Sequence, residues 1–139
     1  MTFIPEEEYQ KILKTMPVFC GDFLIFAEKK YLLIKRGEEP CKDVYWVIGG
    51  RLRFKETMAE LAERVMKQEI GRSFTDFKMI GYSNYIFPDV PDARATHTPT
   101  LLHIVPVEKM FEPKIDNKHT DYIWSDTLPD EMLKQTVWL

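Results

Sequence analysis

The stretch from Tyr45 to Gly71 restricts the fold of this chain more than any other, because an apolar run meets two glycines there and a strongly signalled helix follows. Thr57-Met58-Ala59-Glu60 has capping-box spacing, in which the threonine hydroxyl accepts the N–H three residues on and the glutamate reaches back to the threonine N–H. From that point Leu61, Ala62, Val65 and Met66 recur at steps of three and four, so the segment up to Gly71 predicts a helix with one apolar face. Tyr45-Trp46-Val47-Ile48 reads as a strand. Gly49-Gly50 is expected to stop it where the backbone takes a tight or unusual conformation.

Other segments surround this unit. Pro5 to Met16 opens on Glu6-Glu7-Glu8, which suits the positive end of a helix dipole, and carries Tyr9, Ile12 and Leu13 at helical spacing. Val18–Ala27 and Tyr31–Lys35 read as a hairpin joined by polar Glu28-Lys29-Lys30. Phe77–Phe87 and Thr100–Val107 read as long strands, and the segment from Pro88 to Pro99 between them as a loop. Asp121–Trp124 suggests a short strand, and a last helix is expected near Pro129-Asp130. Strands on both sides of a capped helix imply an α/β or α+β sandwich, and 139 residues suit one domain spanning 1–139.

Composition narrows the function classes. Charged residues make up 29% and apolar ones 45%, an ordinary globular balance, and no apolar run is long enough for a membrane span. With three glutamates in place of an apolar core segment, the first residues do not read as a secretory signal, and a cytoplasmic protein is expected. The two cysteines, Cys20 and Cys41, suit free buried thiols better than a disulfide framework or zinc site. A net charge of −3 without a long basic run offers no grip for a nucleic-acid backbone. A bound phosphate should therefore be small and met by a few placed cations.

Gly49-Gly50-Arg51, Glu56, Arg64, Glu69 and Gly71 lie along the strand end, loop and helix. Such a loop-helix can gather a backbone carbonyl and helical carboxylates around a cation, and magnesium commonly joins one or two carboxylates to substrate phosphates. The stretch resembles the Nudix box, G-x5-E-x7-R-E-U-x-E-E-x-G-U with U a bulky apolar residue. Gly50, Glu56, Arg64, Met66, Glu69 and Gly71 match in register, whereas Val65, Gln68 and Arg72 do not. Two of those departures replace glutamates that bind metal or help activate water. The GDP-mannose mannosyl hydrolases, a subgroup that keeps only the last box glutamate, resemble this chain over nearly its whole length. The likeness includes Met16-Pro17, Lys35-Arg36, Gly49-Gly50-Arg51 and His119-Thr120-Asp121-Tyr122-Ile123-Trp124.

This resemblance implies a Nudix-like α/β/α sandwich with a mixed sheet, in which Glu69 and the Gly49 carbonyl bind magnesium, with manganese as a substitute. It assigns His119 as general base and Arg51 and Arg36 to the departing diphosphate, and it places Asp22 at the sugar side. Gly50, Glu56, Arg64 and Gly71 are structural members of the box. A nucleotide sugar is the implied substrate, and a homodimer the implied assembly. Tyr85 stands where the subgroup has a sugar-contacting histidine, and Lys118 where it has a metal-holding glutamine. An ammonium has no lone pair for a cation, so either another ligand or water serves there or Lys118 meets phosphate.

Blander readings stand beside these. An isolated Glu69 would be a solvated helix residue, and Arg64 could pair with Glu60 one turn earlier rather than brace the loop through Glu56. His103 reads as one face of a strand, His97 as part of a covering loop, and Trp46 and Trp124 as core aromatics. The choice between core and site is open for Tyr85 and Phe87. Three functions follow: a sugar-nucleotide hydrolase attacking carbon, a Nudix pyrophosphohydrolase attacking phosphorus, and a silent nucleotide-binding domain. Attack at a sugar carbon develops positive charge on the sugar and negative charge on the leaving diphosphate, which calls for a base and cations rather than clustered carboxylates.

Overall fold

A computed structural model describes residues 3–38, 42–87 and 96–139, with the side chains of Phe87 and Thr96 left aside. The expected thiol of Cys41, the side-chain choice at Phe87 and the 88–95 part of the expected loop lie outside the described residues. The elements run α1 (Glu6–Thr15), β1 (Cys20–Ala27), β2 (Lys30–Arg36), β3 (Tyr45–Trp46), β4 (Ile48–Arg51), α2 (Met58–Ile70), β5 (Lys78–Phe87), β6 (Thr96–Pro106), β7 (His119–Ser125), α3 (Asp130–Gln135) and β8 (Thr136–Trp138).

The described strands form one eight-stranded mixed sheet in the order β3-β2-β1-β6-β5-β8, with β4 joined to β1 and β7 to β2. The β1–β2 hairpin closes through Glu28 and Lys29, with φ of 51° and 65°. Positive φ at both turn residues matches the twist of the paired strands. Beside β1, β6 runs parallel, matching Asp22 to Leu102 and Phe23 to His103. Because β1 is central, both of its faces are buried: Phe23 and Ile25 join the core with Leu61, Val65 and Met66 of α2, while Leu24 joins Leu102, Val47 and Met132 of α3. The sheet is thus sandwiched between helices, as the sequence predicts. No helix among the described residues is long and apolar enough to cross a membrane.

The capping box is realised in both directions: Thr57 Oγ1 accepts the Glu60 N–H at 3.1 Å, and Glu60 Oε1 accepts the Thr57 N–H at 3.0 Å. At the other end Gly71 takes φ 77°, the left-handed conformation that ends helices without a Cβ clash.

Four features differ from expectation. Gly49 and Gly50 do not stop a strand; they lie within β4, paired to Asp22 and Gly21. Their constraint is close approach, since a Cβ on Gly49 would fall 1.9 Å from Asp22 Oδ1 and one on Gly50 would fall 3.0 Å from Val65 Cγ2. His97 and Pro99 belong to β6, because the long β5–β6 ladder continues to Phe87 opposite Thr96. His119 opens β7 rather than standing in a loop, and β8 extends the sheet beyond the last expected helix.

Thr57→Ala removes one half of the reciprocal cap, so we expect a loss of about 1 kcal/mol of stability. A denaturant titration would show a lower midpoint at unchanged slope; an unchanged midpoint would mean that solvent replaces the cap without loss.

Candidate active site

A cavity of about 370 Å³ opens where the C-terminal part of α2, strand β4 and the start of β7 meet. Glu69, in the last turn of α2, reaches its wall with 15% of its side chain exposed. The Gly49 N–H donates to Glu69 Oε2 at 3.2 Å, so the close seating of α2 on the glycine strand sets the carboxylate against that backbone. On the opposite side, Nε2 of His119 lies 3.6 Å from Glu69 Oε1. The His119 Nδ1 meets Asp116 Oδ1 at 2.5 Å.

A bulge delivers the histidine. The β2–β7 ladder slips between Lys35 and Arg36, with Lys35 opposite Asp121 but Arg36 opposite His119. An extra residue in one strand re-aims its neighbours, and here both Arg36 and His119 line the cavity.

Arg64 does not take the Glu60 alternative. Its Nε and Nη2 donate to Glu56 Oε2 and Oε1 at 2.8 and 2.9 Å, and Nη2 also donates to the Arg51 carbonyl at 2.8 Å. Glu56 in turn accepts the Arg53 N–H at 3.1 Å. Arg64 holds the Glu56 carboxyl below its ordinary range, chiefly by this hydrogen bond. The box pair therefore braces the loop that follows β4, and the Arg51 side chain is left to line the cavity, its guanidinium 5.2 Å from the Tyr9 ring centroid.

Asp22 and Tyr85 lie in the cavity wall at 7% and 3% exposure. Burial pushes the Asp22 carboxyl up to about 7, against the lowering influence of a Trp46 hydrogen bond and the Arg36 charge. His103 is structural, as expected: its Nδ1–H donates to the Asp22 carbonyl at 3.1 Å, and burial pulls it down toward the neutral form. Lys118 is not brought to the cavity; its side chain is exposed and its backbone N–H is turned back to Asp116 Oδ1 at 3.3 Å. Trp124 is a core aromatic donating to the Phe111 carbonyl at 3.0 Å, whereas Trp46 both packs on the second core and lines the cavity.

Sequence reasoning missed Asp116, Tyr9, Thr98 and Thr100. Asp116 carried a signal, an acidic residue three positions before a candidate histidine. Tyr9 looked like the packing face of α1, yet α1 fully buries none of its residues and Tyr9 faces the cavity. Thr98 and Thr100 had no local signal, because the cross-sheet pairing of β6 puts them there.

The ligand atoms of Glu69, Asp116 and His119 lie within 4.8 Å of one another, a set able to hold a metal ion. Carboxylate oxygens with one imidazole fit a hard or borderline divalent cation. Burial lifts the cation-free Glu69 carboxyl to about 8, with the neighbouring charges of Asp116 and Asp22 adding to it. A carboxyl raised in the folded state holds a proton that the unfolded chain has already released, so its contribution to stability is complete below the ordinary carboxylate range and is lost as pH rises through about 8. A bound cation takes the place of that proton. We expect divalent metal binding near pH 7 to release a proton, and the metal-induced rise in Tm to be greater above pH 8 than near pH 6. Calorimetric titrations in buffers of different ionisation enthalpy measure the release; zero protons at neutral pH would show Glu69 already ionised.

No family model matches the chain. One curated relative, the low-salt glycan biosynthesis protein Agl8 of Haloferax volcanii, is 29% identical over 86 residues, covering 62% of this chain and 55% of its own length. The match thus spans little more than half of that relative. Among solved structures, a MutT NUDIX hydrolase from Burkholderia pseudomallei is similar at TM-score 0.69 and 18% identity, over 83% of this chain and 88% of that one. A MutT protein from Methanosarcina mazei Go1 gives 0.63 and 21%, over 78% and 77%. The NUDIX domain of Shewanella oneidensis NrtR, complexed with ADP ribose, gives 0.63 and 14%, over 95% and 88%. With the helix, glycine strand and braced loop arranged as described, the fold of this chain is the Nudix fold.

Proposed function

We propose that the chain is a Nudix hydrolase that cleaves a nucleotide sugar, GDP-mannose or a close relative, to the nucleoside diphosphate and free sugar by water attack at the anomeric carbon. The observation that carries this reading is the company of Glu69. Glu56 is committed to Arg64, residues 65 and 68 are Val and Gln, and the imidazole of His119 stands 3.6 Å from the remaining box carboxylate. Glu69 and the Gly49 carbonyl would hold the cation, magnesium with manganese as substitute, which when bound offsets charge on the diphosphate. His119 is the general base toward water, and Arg51 and Arg36 meet the charge that grows on the leaving phosphate. Asp22 and Tyr85, with Thr98 and Thr100, form the polar wall suited to sugar hydroxyls. Two relatives support the substrate class: one is named for glycan biosynthesis, and another was solved with ADP ribose.

Attack at phosphorus is the second reading, favoured by Asp116, which restores a carboxylate beside Glu69. Hydrolysis of a nucleotide-sugar panel in ¹⁸O-water separates the two. Label in the free sugar is expected; label in a sugar phosphate or nucleoside monophosphate would replace our reading with the second, and binding without turnover would leave a nucleotide-binding domain.

Three substitutions sharpen the test. His119→Ala should lower kcat by roughly 10²–10⁴ with the fold and metal affinity retained. Glu69→Gln should remove most activity together with metal binding, and unchanged turnover in excess chelator would defeat the metal site. For Arg51→Ala, kcat should fall more than KM rises, since the cation acts on charge that develops in the transition state. A pure KM effect would make Arg51 a ground-state contact.

A further inference from the structure

Asp116 makes contacts that a surface turn residue does not need. Its side chain is 12% exposed, its Oδ1 lies 2.5 Å from His119 Nδ1 and 3.3 Å from the Lys118 nitrogen, and its carbonyl accepts the His119 N–H at 3.4 Å. The turn 116–119 is therefore closed around one carboxylate on the far side of the imidazole from Glu69. A carboxylate oxygen only accepts, so the hydrogen in the short contact belongs to His119 Nδ1. In the neutral imidazole that leaves the Nε2 lone pair on the side of Glu69 Oε1, 3.6 Å away.

We infer that Asp116 is a positioning residue rather than a metal ligand: it fixes His119 in the Nδ1–H tautomer and turns Nε2 into the cavity. A cation on the same Oδ1 would be pressed against two donated hydrogens, whereas Glu69 offers its oxygens to the cavity with one backbone donor on Oε2. A carboxylate behind an imidazole sets the tautomer and raises the basicity of the far nitrogen. The inference rests on the proposed role of His119 only for its effect on turnover; the tautomer itself does not depend on that role.

The test compares Asp116→Asn and Asp116→Ala with the parent protein. Nitrogen-15 NMR of the histidine rings in the cation-free protein, assigned with His119→Gln, should show a protonated Nδ1 and a bare Nε2 at His119. Asparagine should keep that signature, since its amide oxygen accepts the same N–H, and alanine should lose it. Turnover of the nucleotide sugar should follow in the same order, kcat falling roughly 10–100-fold in the alanine variant with little change in KM. The dissociation constant for Mn²⁺ alone should be nearly unchanged in both variants. A bare Nδ1 in the parent, or loss of Mn²⁺ binding in either variant, would overturn the inference. Should the alanine variant fail to fold, the parent tautomer and the Mn²⁺ affinity of the asparagine variant still decide. If no nucleotide sugar is hydrolysed by the parent, the functional reading fails while the NMR result continues to judge Asp116.

Discussion

The seat of α2 on the glycine strand is the contact on which the site depends. A side chain at 50 would crowd Val65 of α2 at 3.0 Å and one at 49 would run into Asp22 of β1, so the two glycines let β4 lie against both the helix and β1 while Glu69 takes the Gly49 N–H. Arg64 secures the same contact from the other flank by holding Glu56 and the Arg51 carbonyl at once. Position 51 thus has its backbone held by one arginine while its own side chain faces the cavity. Loss of either glycine or the brace would disturb the Glu69 and Arg51 walls of the cavity together, because the same few residues place both.

The remaining half of the site comes from β2, β6 and β7, and its placement depends on sheet pairing. Parallel β1–β6 pairing sets Thr100 opposite Cys20 and Leu102 opposite Asp22. The bulge in the β2–β7 ladder brings Arg36 opposite His119. These contacts join residues far apart in the chain, and a one-residue slip would turn each side chain to the other face. The cavity is thus built from one local unit, readable from its motif, and one non-local unit that the pairing assembles.

That division explains how far the residues alone could be read. The capped helix, the hairpin, the outer helices and the sandwich were legible because their signals are local: a Thr-x-x-Glu cap, alternating apolar runs and a Gly terminus. Gly49 and Gly50 were recognised as special for the wrong physical reason, since two adjacent glycines signal an unusual turn and a crowded strand equally well. Pairing with β5 converted the expected His97 loop into strand, a non-local stabilisation invisible in its Thr- and Pro-containing sequence. Lys118 drew attention by alignment with a resembled position, yet the acidic partner of the histidine is Asp116, two residues earlier and turned inward.

The absent box glutamates also acquire a physical reading. Val65 is 3% exposed and packed toward Gly50, so a carboxylate there would be a further buried charge one turn from Glu69, whose own carboxyl, like that of Asp22, is already raised by burial. Each added buried carboxylate raises the cost of ionising the others unless a cation compensates. On the proposed reading the compensation is shared among a single divalent ion, Arg36 and Arg51, and the incoming diphosphate claims part of each. A crowded carboxylate set suits attack at phosphorus, where more than one cation can be gathered. With one box carboxylate and an imidazole held by Asp116, the proposed attack at carbon would leave the arginines to the departing diphosphate and the imidazole to the water.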